Sequence, residues 1–563
     1  RRERARKTGM VTDMDMATAM ATVTAVQMVR ELVDTAASCT RKRKSLLLAQ
    51  RLAGEKISLA FPFHSVSAFL LGLTTVGVAS TVHAEAWVIT PTLAVNETLT
   101  NNLFLSAANR TSDLVTEIAP GISIDGKSAR ASLRLDYSMI GKFYAHESSS
   151  NTHQNSLNAV GMLEAIENWL FIDASGTISQ QYLSPFGPVS PSTANVNSNQ
   201  TETSSYSLSP YIKGRFLSSA DYLLRYKGTT TSSKSNAAAD LTSSEWLGKL
   251  NGTTRWGALG WFLDANNLIS NYSSGKDFET TSYNAGLSYT FNPQLRVSAH
   301  TGRESNNYLS TKQESNSTSG VGFVWTPSPR AELSANESRR FFGNGYDVSF
   351  RYRLPRSLVT YRASKDVSFQ PSGVGNTSLG SNYDIFYSLL KAVNPGATPA
   401  AIKAQTIQLL NSRGIPLDGT VASGNLSNSP NVSKLQELTL AFLGARNTVT
   451  FSASEIEQQP LSTGASPPGG SPSLQGPTQQ RAMSLVWGHQ LTGASSLSLS
   501  YNHQRTRGLG DITTETTTDG VYLLLTTRIS PKTQGNITAR RVVADGASAY
   551  TESALTGGFS HSF

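Results

Sequence analysis

The sequence predicts an all-β fold, a transmembrane antiparallel up-and-down β-barrel of about 22 strands, with about 18–22 admissible. Three observations predict it. Apolar and polar residues alternate with period two over most of the chain, and the connectors between alternating segments are short and long by turns. The chain also ends on Leu555, Gly557, Phe559, His561 and Phe563 along one face. An amphipathic last strand closing on Phe is how outer-membrane barrels finish, so Phe559, His561 and Phe563 are read as the terminal assembly signal.

Composition agrees. Only 38% of residues are hydrophobic, which argues against large helical or α/β cores. A barrel with a wet lumen needs one apolar face per strand and no more. No short repeat of fixed period is visible, which weighs against a secreted solenoid.

Residues 1–84 are expected to be a leader and not part of the fold. Arg41 to Lys44, Arg51 and Lys56 form a basic region, an apolar stretch runs from Val66 to Val78, and Val82-His83-Ala84 is a small-x-Ala site. This reads as a signal peptide over about 41–84, cleaved after Ala84. The apolar run is shorter than the roughly 20 residues that span a bilayer. Cys39, the single cysteine, would leave with the leader, so no disulfide or thiolate chemistry is expected. Most of the formal charge of +9 also resides there, so the basic balance is no argument for nucleic acid.

Residues 85–563 are expected to form one barrel. Counting alternation between turn signals places strands at 86–99, 112–124, 128–144, 156–166, 168–181, 203–215, 220–228, 243–253, 256–268, 279–291 and 294–303. The second half adds 317–325, 330–340, 346–353, 357–367, 432–442, 447–458, 479–491, 495–507, 519–529, 532–543 and 549–563. Asp125-Gly126-Lys127, Asn292-Pro293, Leu354-Pro355-Arg356, Gly493-Ala494 and Ser530-Pro531 are tight, while 182–202, 304–316 and 459–478 are long and polar. Counted back from Phe563, the tight turns fall on the periplasmic side and the long loops outside. Trp87, Trp169, Phe291, Trp325, Phe442 and Phe563 lie near a tight turn or a chain end, as an interfacial girdle would.

One insertion interrupts the pattern at 368–431. Asp384 to Val393 and the segment opened by Thr398-Pro399 carry helical spacing, ended by Pro395-Gly396 and Gly414. A small helical hairpin is expected here, as a plug in the barrel mouth or a cap across it.

On the third strand, Arg130, Arg134, Asp136 and Lys142 alternate with apolar residues. Facing lipid, each would be unfavourable by about 2–4 kcal/mol at the midplane. They are expected to line the lumen, together with Arg225, Lys227, Arg296, His300, Asp347, Arg351 and Arg353. Rings of charge set what a pore passes; paired charges can equally fill and stiffen a wall.

Gly121 to Ser128 matches the phosphate-loop pattern G-x-x-x-x-G-K-S. That chemistry needs a loop opening a helix, whereas Ser128 opens an alternating strand. No G-x-S-x-G, H-E-x-x-H or spaced Cys/His cluster is present. His146 and His153 share one loop and would be solvated. No catalytic, cofactor-binding or metal site is expected.

Several segments resemble an outer-membrane β-barrel family associated with PEP-CTERM/exosortase systems. They are Glu97 to Asn102, Thr116 to Tyr137, Ser179-Gln180-Gln181 with Ser184 to Gly187, Tyr206 to Tyr211, the helical insertion, and Leu443 to Asn447. The resemblance runs over essentially all of 85–563. It implies a Gram-negative outer-membrane protein in bacteria that sort PEP-CTERM proteins and make exopolysaccharide, and it carries no family-wide activity or site residues. The expected role is a porin-like passive conduit or envelope component for polysaccharide or protein secretion. A surface structural or adhesive barrel and a barrel-wall hydrolase are the alternatives. The expected partners are outer-membrane lipid, the barrel-assembly machinery, and exopolysaccharide or secretion components.

Overall fold

Alternating side chains let each strand present one face to lipid and one to water, and full closure leaves no unpaired edge. The computed structural model describes residues 86–563 apart from 191, 217–218, 236–238, 255–256, 274–275, 311, 369–385, 388–389, 391–405, 407–429, 462–475 and 511–512.

The strands are β1 (Ala86–Thr100), β2 (Asp113–Lys127), β3 (Ala131–Tyr144), β4 (Thr152–Ile166), β5 (Leu170–Tyr182) and β6 (Gln200–Phe216). They continue with β7 (Ala220–Ser233), β8 (Leu241–Thr253), β9 (Leu259–Tyr272), β10 (Phe278–Asn292), β11 (Leu295–Asn306) and β12 (Glu314–Ser328). Then come β13 (Ala331–Arg340), β14 (Gly343–Leu354), β15 (Ser357–Ser368), β16 (Asn431–Leu443) and β17 (Asn447–Pro460). The last are β18 (Thr478–Gln490), β19 (Ser495–Gly508), β20 (Glu515–Ser530), β21 (Thr533–Gly546) and β22 (Tyr550–Ser562).

All belong to one 22-stranded sheet in which sequence neighbours pair antiparallel. β1 pairs with β22, from Thr92 opposite Ser562 to Thr100 opposite Ala554, and this closes the ring. Among the described residues no helix is long and apolar enough to cross a membrane.

Directly opposed residues share a face. Followed strand by strand, the registers return from β22 to β1 with the same faces in and out. Leu99, Leu287, Phe291, Val321, Leu523, Leu555 and Phe559 are exposed and stand on the outward face. So do Trp87, Trp325 and Phe442, exposed near the tight-turn end with Trp169 and Phe563. Outward ionic residues such as Glu97, Glu455, Arg481, Arg505 and Arg541 cluster at the other strand ends, above the apolar band. A closed barrel with this belt is an outer-membrane protein.

Many strands run farther outward than the sequence pattern indicates. β12 begins at Glu314 and β20 at Glu515, ahead of the expected 317 and 519. Those ends are rich in Ser, Thr and Asn and carry no apolar alternation, yet the backbone ladder needs none to continue. Gly121 to Lys127 lies inside β2, paired on both sides by β1 and β3. No phosphate-cradling loop exists there. Most of the insertion expected to be helical at 368–431 lies outside the described residues, and the fold itself is the all-β barrel.

Candidate functional site: the inward wall and a tethered loop

The connection 183–199 between β5 and β6 is the feature that organises the interior. Its base is zipped shut: Leu183 N–H donates to the Asn199 carbonyl at 2.8 Å, and the Asn199 amide donates to the Ser184 carbonyl at 3.0 Å. From there the loop reaches the segment after β1 and residues of β2 and β20–β22. Thr193 Oγ1 donates to Glu117 Oε1 at 2.6 Å. Val196 N–H donates to the Leu103 carbonyl at 3.0 Å. The Phe186 carbonyl accepts from Ser548 Oγ at 2.6 Å and from Thr516 Oγ1 at 3.3 Å, and Tyr550 Oη donates to the Val189 carbonyl. One short loop touching inward residues of so many strands must lie within the ring.

Its anchor is a buried ion pair. Arg540 of β21 grips Glu552 of β22 through Nε at 3.1 Å and Nη2 at 2.9 Å. Glu552 Oε1 also accepts from Thr100 Oγ1 at 2.8 Å and from Asn195 Nδ2 at 2.8 Å. The two ionic side chains are 6% and 0% exposed. A buried charge is tolerable only when paired and hydrogen-bonded, and here both conditions hold. Leu103, Val115, Tyr144 and Ala194 bury one another beside it, so the loop is held by apolar contact as well.

A second knot stands on the far side of the ring. Arg340 donates to Glu304 at 2.9 and 2.7 Å and also contacts Asp366. Leu241, Tyr272, Phe278 and Tyr308 pack together nearby. Burial pushes the Tyr308 phenol, in the loop after β11, well above its ordinary range.

The residues expected in the lumen fall as follows. Arg134, Asp136, Lys142, Arg225, Lys227, Arg296, His300, Asp347, Arg351 and Arg353 all occupy the inward face. Arg130 does not. Ser128 N–H donates to the Ala131 carbonyl at 2.7 Å, which puts Arg130 in the turn after β2; it pairs at 3.0 Å with Glu167 of the next turn, both exposed. Alternation simply ran past the strand end.

Several inward charges are paired: Arg134 with Asp136 at 3.0 Å, Arg225 with Asp173 at 3.5 Å, Arg362 with Asp347 at 3.7 Å and Arg351 with Glu332 at 3.9 Å. Lys142 lies opposite Glu117 and Lys227 opposite Glu245. Arg225 also lies over the Tyr211 ring at 4.3 Å, and Lys213 over Phe171 at 4.2 Å. Between these, the inward face carries Ser, Thr and Asn, as in Ser496, Ser498, Ser500 and Asn502 of β19. The wall is hydrophilic, with both signs of charge interleaved.

Sequence reasoning missed Asn195, Arg540 and Glu552. The two ionic residues do alternate with outward Ile537, Ala539 and Leu555, which was the available signal. Asn195 sits in a Ser/Pro/Asn stretch with no periodicity at all. Among the described residues no three or more His, Cys, Asp or Glu are grouped to hold a metal ion. His146 instead contacts Asp113 at 3.0 Å.

No protein-family model matches the chain, and no curated protein matches it. Solved structures match it at low identity. The siderophore receptor PirA from Pseudomonas aeruginosa is 10% identical, with 84% of this chain and 80% of that one covered, at a TM-score of 0.41. The FrpB iron transporter from Neisseria meningitidis, F5-1 variant in apoprotein form, gives 9%, 84%, 81% and 0.41. The siderophore receptor PirA from Acinetobacter baumannii gives 7%, 86%, 81% and 0.44. Values this low carry nothing about cargo.

Proposed function

We propose that this outer-membrane barrel is a passive conduit for hydrophilic, largely uncharged cargo, narrowed from within by loop 183–199. The observation that carries the reading is the tether of that loop to Glu552 and Arg540 inside a wall of hydroxyl and amide side chains. Interleaved, mostly paired charges give neither anions nor cations a strong preference. Such a wall suits a neutral hydrated polymer, and the resemblance to barrels of PEP-CTERM/exosortase systems makes polysaccharide or protein secretion the setting. In this reading loop 183–199 is the narrowing element.

Conductance in planar bilayers tests this. Wild type is expected to form small pores of weak ion selectivity, and deletion of 186–197 to raise unitary conductance several-fold. A barrel that stays silent after that deletion overturns the conduit reading.

A further inference from the structure

We infer that the outer wall over β7–β11 is a binding site for a phosphate-bearing lipid, with an acyl chain in a surface groove and the phosphate on Arg303. The groove has a volume of about 660 Å³ and is almost wholly apolar, lined by Leu224, Gly248, Leu263, Ala265, Ala285 and Arg303 among others. Register explains its shape. Leu224 lies opposite Gly248, Gly248 opposite Ala265, Ala265 opposite Tyr283, and Tyr283 opposite Arg303. These residues form one continuous row on the outward face. Gly248 and Ala265, with Ala285 on the adjacent row opposite Leu263, cut a trough here, and Leu224 and Tyr283 stand as its banks. The row descends obliquely: Arg303 is farther along its strand from the tight turns than Leu224 is along its own.

The upper rim of the trough is where the wall changes character. On the next row outward, the Tyr226 and Trp246 rings lie 4.9 Å apart, and the Asn267 amide donates to Thr281 Oγ1 at 2.9 Å. Amphipathic aromatics beside polar groups mark headgroup level. Arg303 is exposed there and donates from Nε to Ser315 Oγ. No carboxylate lies within ion-pair distance of it among the described residues. Outward-facing Arg339 on β13, likewise unpaired among the described residues, stands two strands away. A guanidinium at a lipid interface needs a counter-anion, and phosphate fits its fork with two parallel hydrogen bonds. Shape accounts for the chain and charge for the headgroup; together they call for one amphiphile.

The test uses full-length protein in non-ionic detergent, with native mass spectrometry reading retained dioleoyl phosphatidic acid, dioleoylglycerol or inorganic phosphate. One equivalent of phosphatidic acid is expected to survive detergent exchange that strips dioleoylglycerol, and inorganic phosphate is expected not to displace it. Arg303→Gln and Gly248→Leu are each expected to reduce retention at least tenfold. A Cβ at Gly248 meets only Ala265 atoms, at 3.9 Å or beyond, so leucine fills the trough without straining the backbone. Equal retention of the lipids with and without phosphate overturns the inference. So does displacement by inorganic phosphate, or wild-type retention by either variant in a barrel that still shows its heat-dependent gel shift.

Discussion

Asn195 donates a 2.8 Å hydrogen bond to Glu552 across 357 positions of sequence. That single contact joins a loop near the start of the barrel to the strand that closes it. Glu552 accepts from Arg540 and Thr100 as well, so the carboxylate ties β21, β22, β1 and the loop into one unit. Loop position and barrel closure therefore depend on the same buried charge.

Removing the charge and removing the loop contact should have different consequences. Glu552→Ala leaves the Arg540 guanidinium buried without its partner, which should destabilise by about 3–5 kcal/mol. Urea unfolding of the refolded barrel measures it. Asn195→Ala keeps the ion pair and loses only the loop's hold, so stability should fall by about 1–3 kcal/mol. Its clearer signature is electrical: flickering openings of raised conductance, absent from wild type. Matching unfolding and conductance in the two variants would show that the loop is not latched through Asn195.

The face assignment makes a sharp contrast between neighbours. Leu523 faces outward and Leu524 inward on β20, opposite Leu499 and Ser498 respectively. Leu523→Arg should destabilise by about 2–4 kcal/mol in lipid, while Leu524→Arg should change stability by about 1 kcal/mol or less. Unfolding in vesicles compares them directly, and equal effects would mean the two faces are misassigned.

This contrast was legible in the sequence because a strand's side chains alternate whatever its partners are. Arg134, Arg225 and Arg351 could therefore be placed inward from spacing alone. The same rule overreached at Arg130, where the pinch of Ser128 on Ala131 ends the strand and spacing gives no warning. Arg540 and Glu552 went unassigned: spacing offers a face for each, but their contact needs the register of β21 with β22, set by pairs such as Val542 opposite Glu552. Nothing local turns 183–199 inward. Its fold is decided by acceptors and donors at Glu117, Tyr550 and Glu552, which lie far from it in the chain.

Phe563 separates assembly from stability. The residue is 61% exposed, its ring meets that of His561 at 4.8 Å, and its N–H donates to the Pro91 carbonyl at 3.0 Å. So little contact means that deleting it should shift the stability of the refolded barrel by about 0.5 kcal/mol at most. If Phe563 is the assembly signal that the sequence leads one to expect, the same deletion should sharply reduce folded barrel in the outer membrane of cells. Normal outer-membrane levels of the truncated chain would remove Phe563 from the assembly signal.

Gly126 tests whether the phosphate-loop pattern has any meaning here. It lies opposite Trp87 on the outward face, and a Cβ built on it would fall 2.1 Å from the indole Cε3. The glycine exists so that the Trp87 ring can lie flat across β2, an aromatic covering a bare backbone at the membrane interface. Gly126→Val should force the ring off its seat, lower stability by about 1–3 kcal/mol and change the Trp emission. Magnesium-ATP should alter neither wild type nor variant in thermal unfolding. A stabilising shift by the nucleotide that is lost in the valine variant would revive the phosphate-binding reading, and with it a loop that the paired ladder of β1, β2 and β3 leaves no room to form.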